Sequence, residues 1–383
     1  MNNIAIEKTT PWTFLHCPTP TNLQINWTGI IVQFPCLQSL SKCEQNPTYH
    51  AEGNVWIHTK LVCEALISLP DWQAMNPQDR SILFAAALFH DIAKPMATQV
   101  AEDGNITAEG HINLGARMVR QILQDLHISF AIREAIVTIV KYGSLPLWFW
   151  DKTQPLRSII KASQLVRCDW LALMAEADVR GRICADREKL LETIEFFREF
   201  CQEHNCFDRA YSFASAHSRF IYFHKEDVDP TYAAFDDTRL EVILMCGLPG
   251  TGKDYWIEHT HPDLPVVSLD RLRLEMGILL TDEQGVIVKA GRDLAKGYLQ
   301  SKTPFIWNAT NIVKPIRSGL IRLFASYHAR IWIVYLEVPI DRVLQQNRNR
   351  KAQVPNAVIH RYRDRLEIPD ITECHQLDYF VDV

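Results

Sequence analysis

The spacing of apolar residues changes near residue 240 of this chain. Before that point, from about residue 50 to 205, apolar side chains recur three and four positions apart, as in WIHTKLVCEALISL and LGARMVRQILQDL. This period predicts amphipathic helices. After it, short apolar runs alternate with helical patterns, which predicts a parallel sheet flanked by helices. The predicted strands are 242–246, 265–269, 304–307 and 331–336, and the predicted helices between or after them are 254–260, 271–279, 289–300, 314–327, 340–347 and 355–366.

The change of pattern predicts a fold of class α + α/β in four segments. Residues 1–45 contain four prolines and little periodicity, so we expect an irregular N-terminal extension. Residues 46–205 form the all-helical domain, and residues 239–383 form the α/β domain. The stretch 206–238, with its aromatic and acidic residues, is expected to connect the two.

The composition of the 383 residues is that of an ordinary globular protein, with 47% hydrophobic and 22% charged residues. No apolar run is long enough to span a bilayer, and the first twenty residues lack the pattern of a signal peptide. The ten cysteines include no C-x-x-C pair, so we expect reduced thiols and a cytoplasmic location with no membrane partner. The net charge of −5 argues against non-specific coating of nucleic acid, although residues 342–365 carry a local basic run.

A glycine-rich turn follows the first predicted strand of the α/β half. Residues 247–253 read GLPGTGK, which matches the phosphate-binding pattern G-x-x-x-x-G-K. Glycines allow the backbone N–H groups to turn towards phosphate oxygens, and the following helix directs its positive end at the same anion. The turn predicts binding of ATP or another nucleoside triphosphate with Mg²⁺, although Asp254 stands where Ser or Thr usually binds the ion. The expected nucleotide-binding residues are Gly247, Leu248, Pro249, Gly250, Thr251, Gly252, Lys253 and Asp254.

Polar residues follow the next two predicted strands at the same edge of the sheet. Asp270 can accept a proton from an attacking hydroxyl, or it can cap a helix. Arg273, one turn later, can bind a phosphate on the acceptor. Asn308, in WNATN, either lines the same crevice or belongs to a group that caps the next helix. Further on, arginines in NRNRK lie on an expected lid or on a solvated helix; they are Arg348 and Arg350.

Histidine and aspartate residues recur on three predicted helices of the helical half. His58 lies on an early helix, His90 and Asp91 are adjacent on a later one, and Asp178 follows on a third. Two histidines and two aspartates suit a divalent transition metal or Mn²⁺ with open positions for water and phosphate. His111 is a further candidate ligand. The alternative is a set of buried core residues without a metal.

The motifs WIHTKLV, LFHDIAKP, GHINLGARMV and AEADVRGR, in this order, resemble the HD phosphohydrolase superfamily, especially the HD domain of some CCA-adding tRNA nucleotidyltransferases. The resemblance implies that His58, His90, Asp91 and Asp178 bind metal, with His111 as the next ligand. It implies hydrolysis of phosphoesters, with Lys94 helping to neutralise the phosphate. The family often has one more histidine where Gly143 stands here, which indicates a site for a single metal.

The motifs GLPGTGKD, SLDRLR, WNATN and NRNRKAQVPNAVI resemble the polynucleotide 5′-kinase branch of the P-loop kinases. That resemblance makes Lys253 a phosphate ligand and Asp270 the general base. Arg273 would bind the phosphate beside the acceptor 5′-hydroxyl. Arg348 would be the lid arginine, with Arg350 as a second.

The two halves together resemble the bacterial HD-Pnk family of end-healing enzymes. This resemblance implies phosphorylation of 5′-OH ends and hydrolysis of 2′-phosphate, 3′-phosphate or 2′,3′-cyclic phosphate ends. RNA ends are favoured over DNA ends as partners, and a separate ligase would seal the healed break. Two alternatives stay open: a small-molecule or nucleotide kinase fused to a nucleotide phosphohydrolase, and a kinase joined to a catalytically dead HD module that binds RNA.

Overall fold

The computed structural model describes residues 12–278, 285–349 and 353–381. The chain divides into two compact units, Met1–Tyr211 and Ser212–Val383. The division falls inside the predicted connecting segment. No helix among the described residues combines the length and the apolar character needed to cross a membrane.

The first unit is helical, as predicted, and a small antiparallel hairpin accompanies its helices. Its core is built around the central helix α10, which has eleven buried residues and packs against α2 and α4. The elements are α1 Trp27–Gln33, a 3₁₀ helix Pro35–Lys42, α2 Val55–Ser68, α3 Pro70–Ala74, α4 Pro77–Phe89, α5 Lys94–Ala97, β1 Gln99–Val100, β2 Ile106–Thr107, α6 His111–Asp125, α7 Phe130–Tyr142, α8 Leu145–Trp148, α9 Pro155–Ser163, α10 Cys168–Gly181 and α11 Arg187–Glu203.

Helices α2 and α10 approach each other closely at a glycine. A Cβ atom on Gly181 would lie 2.7 Å from the backbone nitrogen of Val62, which is closer than a real Cβ can come. Val62 is one turn after His58, and Gly181 is one turn after Asp178. The absence of a side chain at residue 181 therefore lets the two helices bring these predicted metal ligands together.

The prediction that residues 1–45 are irregular is wrong for residues 27–42, which form two short helices, whereas residues 12–26 contain no helix. Helix α1 begins where Asn26 accepts a hydrogen bond from the Gly29 backbone at 2.9 Å. The following 3₁₀ helix buries Leu37 and Leu40 in the core of the helical unit. Both helices are too short for a helical period to stand out in the sequence.

The second unit contains a five-stranded parallel sheet flanked by helices, which confirms the predicted fold class. The strand order is β4-β5-β3-β6-β7. Three elements escaped prediction, namely a helix inside the connecting segment, a short 3₁₀ helix near the end of the unit, and the edge strand β7. The partly exposed residues of β7 give no continuous apolar run. The elements are α12 Ala216–His224, β3 Leu240–Cys246, α13 Lys253–Thr260, β4 Val266–Ser268, α14 Leu269–Glu275, α15 Gly285–Gln300, β5 Phe305–Asn308, α16 Lys314–Ala325, β6 Ala329–Glu337, α17 Ile340–Arg348, α18 Asn356–Asp364, a 3₁₀ helix Ile371–Glu373 and β7 Gln376–Val381.

The parallel order fixes where a ligand can bind. Strand β3 lies at the centre of the sheet, and six of its seven residues are buried. The carboxyl ends of β3, β4 and β5 meet at one edge, where ligands bind in sheets of this kind. The glycine-rich turn follows β3, Asp270 follows β4, and Asn308 ends β5.

We predict that Gly181→Ala destabilises the helical unit by roughly 1–3 kcal/mol, because the new methyl group overlaps the backbone of α2. Urea unfolding followed by circular dichroism measures the change. Gly115→Ala is the matched control, since a Cβ atom at residue 115 would make an ordinary contact of 3.6 Å with Ala93. Equal stability of the two variants would show that α2 and α10 do not need the glycine.

Candidate active sites

The five predicted metal ligands of the helical unit lie together. His58 Nε2 is 3.1 Å from Asp178 Oδ1 and 3.3 Å from His90 Nε2. Asp91 Oδ2 is 3.1 Å from His90 Nε2, and Asp91 Oδ1 is 3.6 Å from His111 Nε2. Ligand atoms of His58, His90 and Asp178 all lie within 4.8 Å of one another, as one metal ion requires.

Four different elements supply these side chains. His58 lies within α2, Asp178 within α10, and His111 is the first residue of α6. His90 caps the end of α4, and Asp91 lies in the turn that follows. Because His90 and Asp91 leave the helix at its end, their side chains converge on one point instead of diverging around a helix.

A carboxylate that the sequence did not reveal lies behind His58. Glu52 Oε1 is 2.9 Å from His58 Nδ1 and 2.8 Å from His50 Nδ1, and Glu52 Oε2 accepts a hydrogen bond from the Ile183 backbone at 2.8 Å. An acid at Nδ1 turns the other ring nitrogen towards the metal position. Burial raises the pKa of Glu52, but the contacts with His50, His58 and Ile183 outweigh it and keep the residue ionised. Glu52 precedes α2 in a loop, so no helical spacing links it to His58.

The charges of the cluster fit a bound cation. Three carboxylates, Glu52, Asp91 and Asp178, have side chains that are at most 12% exposed. Two permanent cations face them: Lys94 Nζ is 2.7 Å from Asp91 Oδ2, and Arg182 donates two hydrogen bonds to Asp178. One negative charge remains without a permanent cation among these groups, which favours a divalent ion.

The hydrogen bonding and the pKa values at Asp91 agree with that fit. Asp91 Oδ2 is buried and accepts no hydrogen bond of acceptable geometry from the described residues, although Lys94 is near. Burial raises the pKa of Asp91, but the charges of His90 and Lys94 outweigh burial and hold it well below its usual range. Burial lowers the pKa of His90, and the charge of Asp91 outweighs that effect and raises it. A buried carboxylate oxygen beside imidazole nitrogens is a donor set that a metal ion satisfies.

Gly143 does not supply a further ligand. It caps the end of α7, and a Cβ atom there would lie 2.9 Å from Ile139 O and 3.3 Å from Met174 Cγ. A side chain at this position would collide with its own helix and with α10. That crowding agrees with a site for a single metal, which stays a prediction.

A pocket of about 330 Å³ opens beside the cluster. Lys94, His111 and Arg182 line it, together with His50 from the turn before α2. Lys94 Nζ also donates to Gln45 Oε1 at 2.7 Å, so its amine is held at the pocket wall. A phosphate in this pocket would meet positive side chains next to the candidate metal ligands.

In the second unit the glycine-rich turn has the backbone that phosphate binding requires. Gly247, Gly250 and Gly252 have φ angles of 147°, 86° and 90°, which other residues rarely adopt. Lys253 Nζ donates to Gly247 O at 3.0 Å and to Leu248 O at 2.7 Å, so it lies across the turn.

A pocket of about 550 Å³ joins this turn to the predicted acceptor side. Five of the eight predicted nucleotide-binding residues line it, namely Pro249, Gly250, Gly252, Lys253 and Asp254. The other three, Gly247, Leu248 and Thr251, are not among the described lining residues, and Leu248 and Thr251 are buried. Asp270, Arg273 and Asn308 line the same pocket.

Asp270 and Arg273 form an ion pair at the entrance to this pocket. Arg273 Nη1 donates to Asp270 Oδ1 across one turn of α14. The alternative that Asp270 caps this helix is wrong, because the hydroxyl of Ser268 is the N-cap and accepts from the Arg271 backbone at 3.3 Å. The Asp270 side chain is 62% exposed and is therefore accessible to an acceptor hydroxyl.

Asn308 lies against the unusual aspartate of the phosphate-binding turn. Its Nδ2 donates to Asp254 Oδ1 at 2.6 Å. The alternative that Asn308 or Asn311 caps the next helix is wrong, because Val313 is the N-cap residue of α16. Asn311 instead donates to Met245 O at 2.7 Å and ties β5 to β3.

The predicted lid arginines have different positions. Arg348 ends α17, is exposed, and is not among the described residues that line the pocket. Arg350 lies outside the described residues. Arg361, on α18, does line the pocket beside Tyr362. Arg361 belongs to the basic run at 342–365, but the spacing of that run does not indicate which of its arginines lines the pocket.

We predict that Glu52→Gln lowers the affinity of the helical unit for Mn²⁺ roughly 10- to 100-fold, because the neutral amide fixes the His58 ring less strongly. Metal titration of the purified full chain measures this. Glu64→Gln removes an exposed carboxylate from the same helix as His58 and should leave the affinity unchanged. Unchanged affinity in Glu52→Gln would contradict the orienting role.

Two family models match parts of this chain. The family model described as the HD domain matches residues 55–167, and the one described as the AAA domain matches residues 242–369. A curated relative, the L-seryl-tRNA(Sec) kinase of Methanococcus maripaludis, is 22% identical over 135 residues, which cover 33% of this chain and 53% of the relative. The chain thus matches about half the length of that relative.

Solved structures with some similarity are also kinases by description. A protein of Chloroflexus aurantiacus described as a kinase is 18% identical, over 38% of this chain and 89% of its own, with a TM-score of 0.33. A sugar kinase from Janibacter sp. HTCC2649 is 14% identical, over 37% and 85%, with a TM-score of 0.29. The chain therefore contains an HD domain followed by a P-loop kinase-like domain.

Proposed function

We propose that this protein heals both ends of a nucleic-acid break. The kinase unit transfers the γ-phosphoryl group of ATP or another nucleoside triphosphate to a 5′-hydroxyl end. The HD unit hydrolyses a 2′-phosphate, 3′-phosphate or 2′,3′-cyclic phosphate end. One observation carries the kinase half of the proposal: the phosphate-binding turn and the Asp270–Arg273 pair line the same pocket.

The kinase step follows from the positions around that pocket. Lys253 and the N–H groups of the turn hold the β- and γ-phosphates. The oxygen of the acceptor hydroxyl attacks the γ-phosphorus while Asp270 accepts the proton of that hydroxyl, and the nucleoside diphosphate leaves. Arg273 both pairs with Asp270 and presents its guanidinium to a phosphate on the acceptor. Arg361 adds positive charge from α18, the role first expected of Arg348 and Arg350.

Asp254 and Asn308 would hold Mg²⁺ at the kinase site. Carboxylate and amide oxygens suit this ion, and the hydrogen bond from Asn308 fixes the carboxylate in the pocket. An ion bound there would offset the negative charge of Asp254 beside the phosphates.

In the HD unit, His58, His90, Asp91 and Asp178 would hold one divalent transition metal ion or Mn²⁺, with His111 as a further ligand. Such an ion lowers the pKa of water and polarises phosphoryl oxygens. Lys94 and Arg182 neutralise charge on the phosphate, and Glu52 keeps the His58 ring oriented. The intact cluster argues against the alternative of a dead HD module that only binds RNA.

Two other classes of phosphate acceptor compete with a polynucleotide end in the kinase proposal. The curated relative is named as a kinase of L-seryl-tRNA, whose acceptor hydroxyl is attached to RNA without being an RNA end. A small-molecule or nucleotide kinase is the other candidate. Arg273 and Arg361 favour an acceptor that carries phosphate, which a polynucleotide end provides. We further propose RNA ends as the preferred partner, a separate ligase, and a cytoplasmic location.

Labelled phosphate transfer from ATP to a 5′-OH oligonucleotide tests the kinase proposal. We predict that Asp270→Ala abolishes this transfer and preserves hydrolysis of a 2′,3′-cyclic phosphate end, because only the kinase site loses its base. His90→Ala should have the opposite effect. Transfer to nucleosides or seryl-tRNA but to no oligonucleotide end would overturn the proposal.

We predict that Asp254→Ala raises the Mg²⁺ concentration needed for half-maximal kinase activity, because the ion loses a charged ligand. Magnesium titrations at fixed ATP measure this. Asp263→Ala removes an exposed carboxylate that does not line the pocket, and it should leave the titration unchanged. An unchanged midpoint in Asp254→Ala would assign the ion to other ligands.

A further inference from the structure

Two exposed aromatic side chains stand at the HD pocket. Tyr49 is 55% exposed and Trp148 is 47% exposed, and both line the same pocket of about 330 Å³ as Lys94 and His111. Large aromatic side chains that stay in water next to a charged pocket mark a binding surface more often than a core.

The local structure holds both rings in place. Leu145 and Leu147 of the short helix α8 are buried, and they anchor it so that Trp148 at its end stays outside. The Tyr49 backbone donates to Asn46 O at 3.1 Å, in the turn before α2. Neither ring packs against another aromatic ring within the described parts of the chain. With about half of each residue exposed, part of each ring is accessible to a ligand.

A neighbouring tryptophan shows the contrast. Trp150 is 58% exposed, but its ring packs against Phe149 at 6.0 Å and Phe196 at 5.2 Å between centroids. It is not among the described residues that line the HD pocket. Exposure alone therefore does not identify an aromatic residue as part of the candidate binding surface. Tyr49 and Trp148 are chosen because they line the pocket together with Lys94 and His111.

The pocket combines two chemistries that one ligand class matches. Lys94 and Arg182 provide positive charge next to the candidate metal ligands, although the exposed carboxylates Glu44 and Asp186 also line the pocket. Tyr49 and Trp148 provide aromatic surface. A nucleotide has a phosphate and a flat base, and bases stack on aromatic side chains with little dependence on sequence. The volume is near the lower limit for small-molecule pockets, about 300 Å³, which suits one nucleotide.

We propose that Trp148, with Tyr49, stacks against the base of the terminal nucleotide whose phosphate enters the HD site. The HD unit therefore recognises a nucleoside phosphate, and not any phosphate ester. This inference rests on the proposed function, and it names the substrate class of the HD site. The ligand is either the end of a polynucleotide or a free mononucleotide, which share this chemistry.

Calorimetry on the full chain tests the inference by comparing the binding of uridine 3′-monophosphate with that of ribose 3-phosphate. An excess of a non-hydrolysable ATP analogue occupies the kinase pocket during both titrations. In the native protein the base should tighten binding roughly 5- to 100-fold, the range for one stacked base. In Trp148→Ala this base preference should fall, and in the double variant Trp148→Ala/Tyr49→Ala the two ligands should bind equally. Trp148→Phe should retain most of the difference, and Trp150→Ala should retain all of it.

Equal binding of the two ligands to the native protein, or an undiminished base preference in Trp148→Ala, would overturn the inference. Thermal unfolding and Mn²⁺ titration of each variant separate a loss of stacking from a loss of fold. A 3′-phosphorylated RNA oligonucleotide in the same assay distinguishes a polynucleotide end from a mononucleotide. Base-dependent binding without hydrolysis of any phosphate end would refute the proposed HD activity and leave the stacking inference standing.

Discussion

Buried negative charge is the constraint around which the helical unit is built. Burying an ionised carboxylate costs several kcal/mol unless it is paired and hydrogen-bonded. Here Glu52, Asp91 and Asp178 are buried around two histidines, with Lys94 and Arg182 as the only permanent cations in contact with them among the described residues. A bound divalent cation would offset the negative charge that these two cations leave unpaired. The close packing of α2 against α10 then holds the ligands at the spacing that one ion requires.

The kinase-like unit meets a different constraint. Its central strands are parallel, so their carboxyl ends share one edge, where a ligand site is expected. The phosphate-binding turn after β3, the Asp270–Arg273 pair of α14 and Asn308 at the end of β5 lie at that edge, and Arg361 of α18 also lines the pocket. The hydrogen bond between Asn308 and Asp254 links two of them, and it gives the substituted residue of the turn a defined place.

Much of this could be predicted from sequence, for identifiable reasons. The fold class followed from the change in apolar spacing, and the five candidate metal ligands followed from motif order. Glu52 and His50 could not be found, because they meet His58 through a tertiary contact of a loop. Arg361 was missed in favour of Arg348 because a basic run does not reveal which side chain faces the pocket. Strand β7 was missed because partly exposed edge strands lack a continuous apolar signal.

The chain joins a P-loop kinase-like domain to an HD domain. In the function that we propose, the first adds a phosphate to a 5′-hydroxyl end and the second removes a phosphate that blocks the 3′ side of the same break. The most direct measurement uses a nicked RNA duplex with a 5′-OH and a 2′,3′-cyclic phosphate at the nick, incubated with the protein, Mn²⁺, Mg²⁺ and ATP. Mass spectrometry of the strands should show a 5′-phosphate and a 3′-hydroxyl. Unchanged strands, under conditions in which the protein phosphorylates a small molecule, would contradict the account.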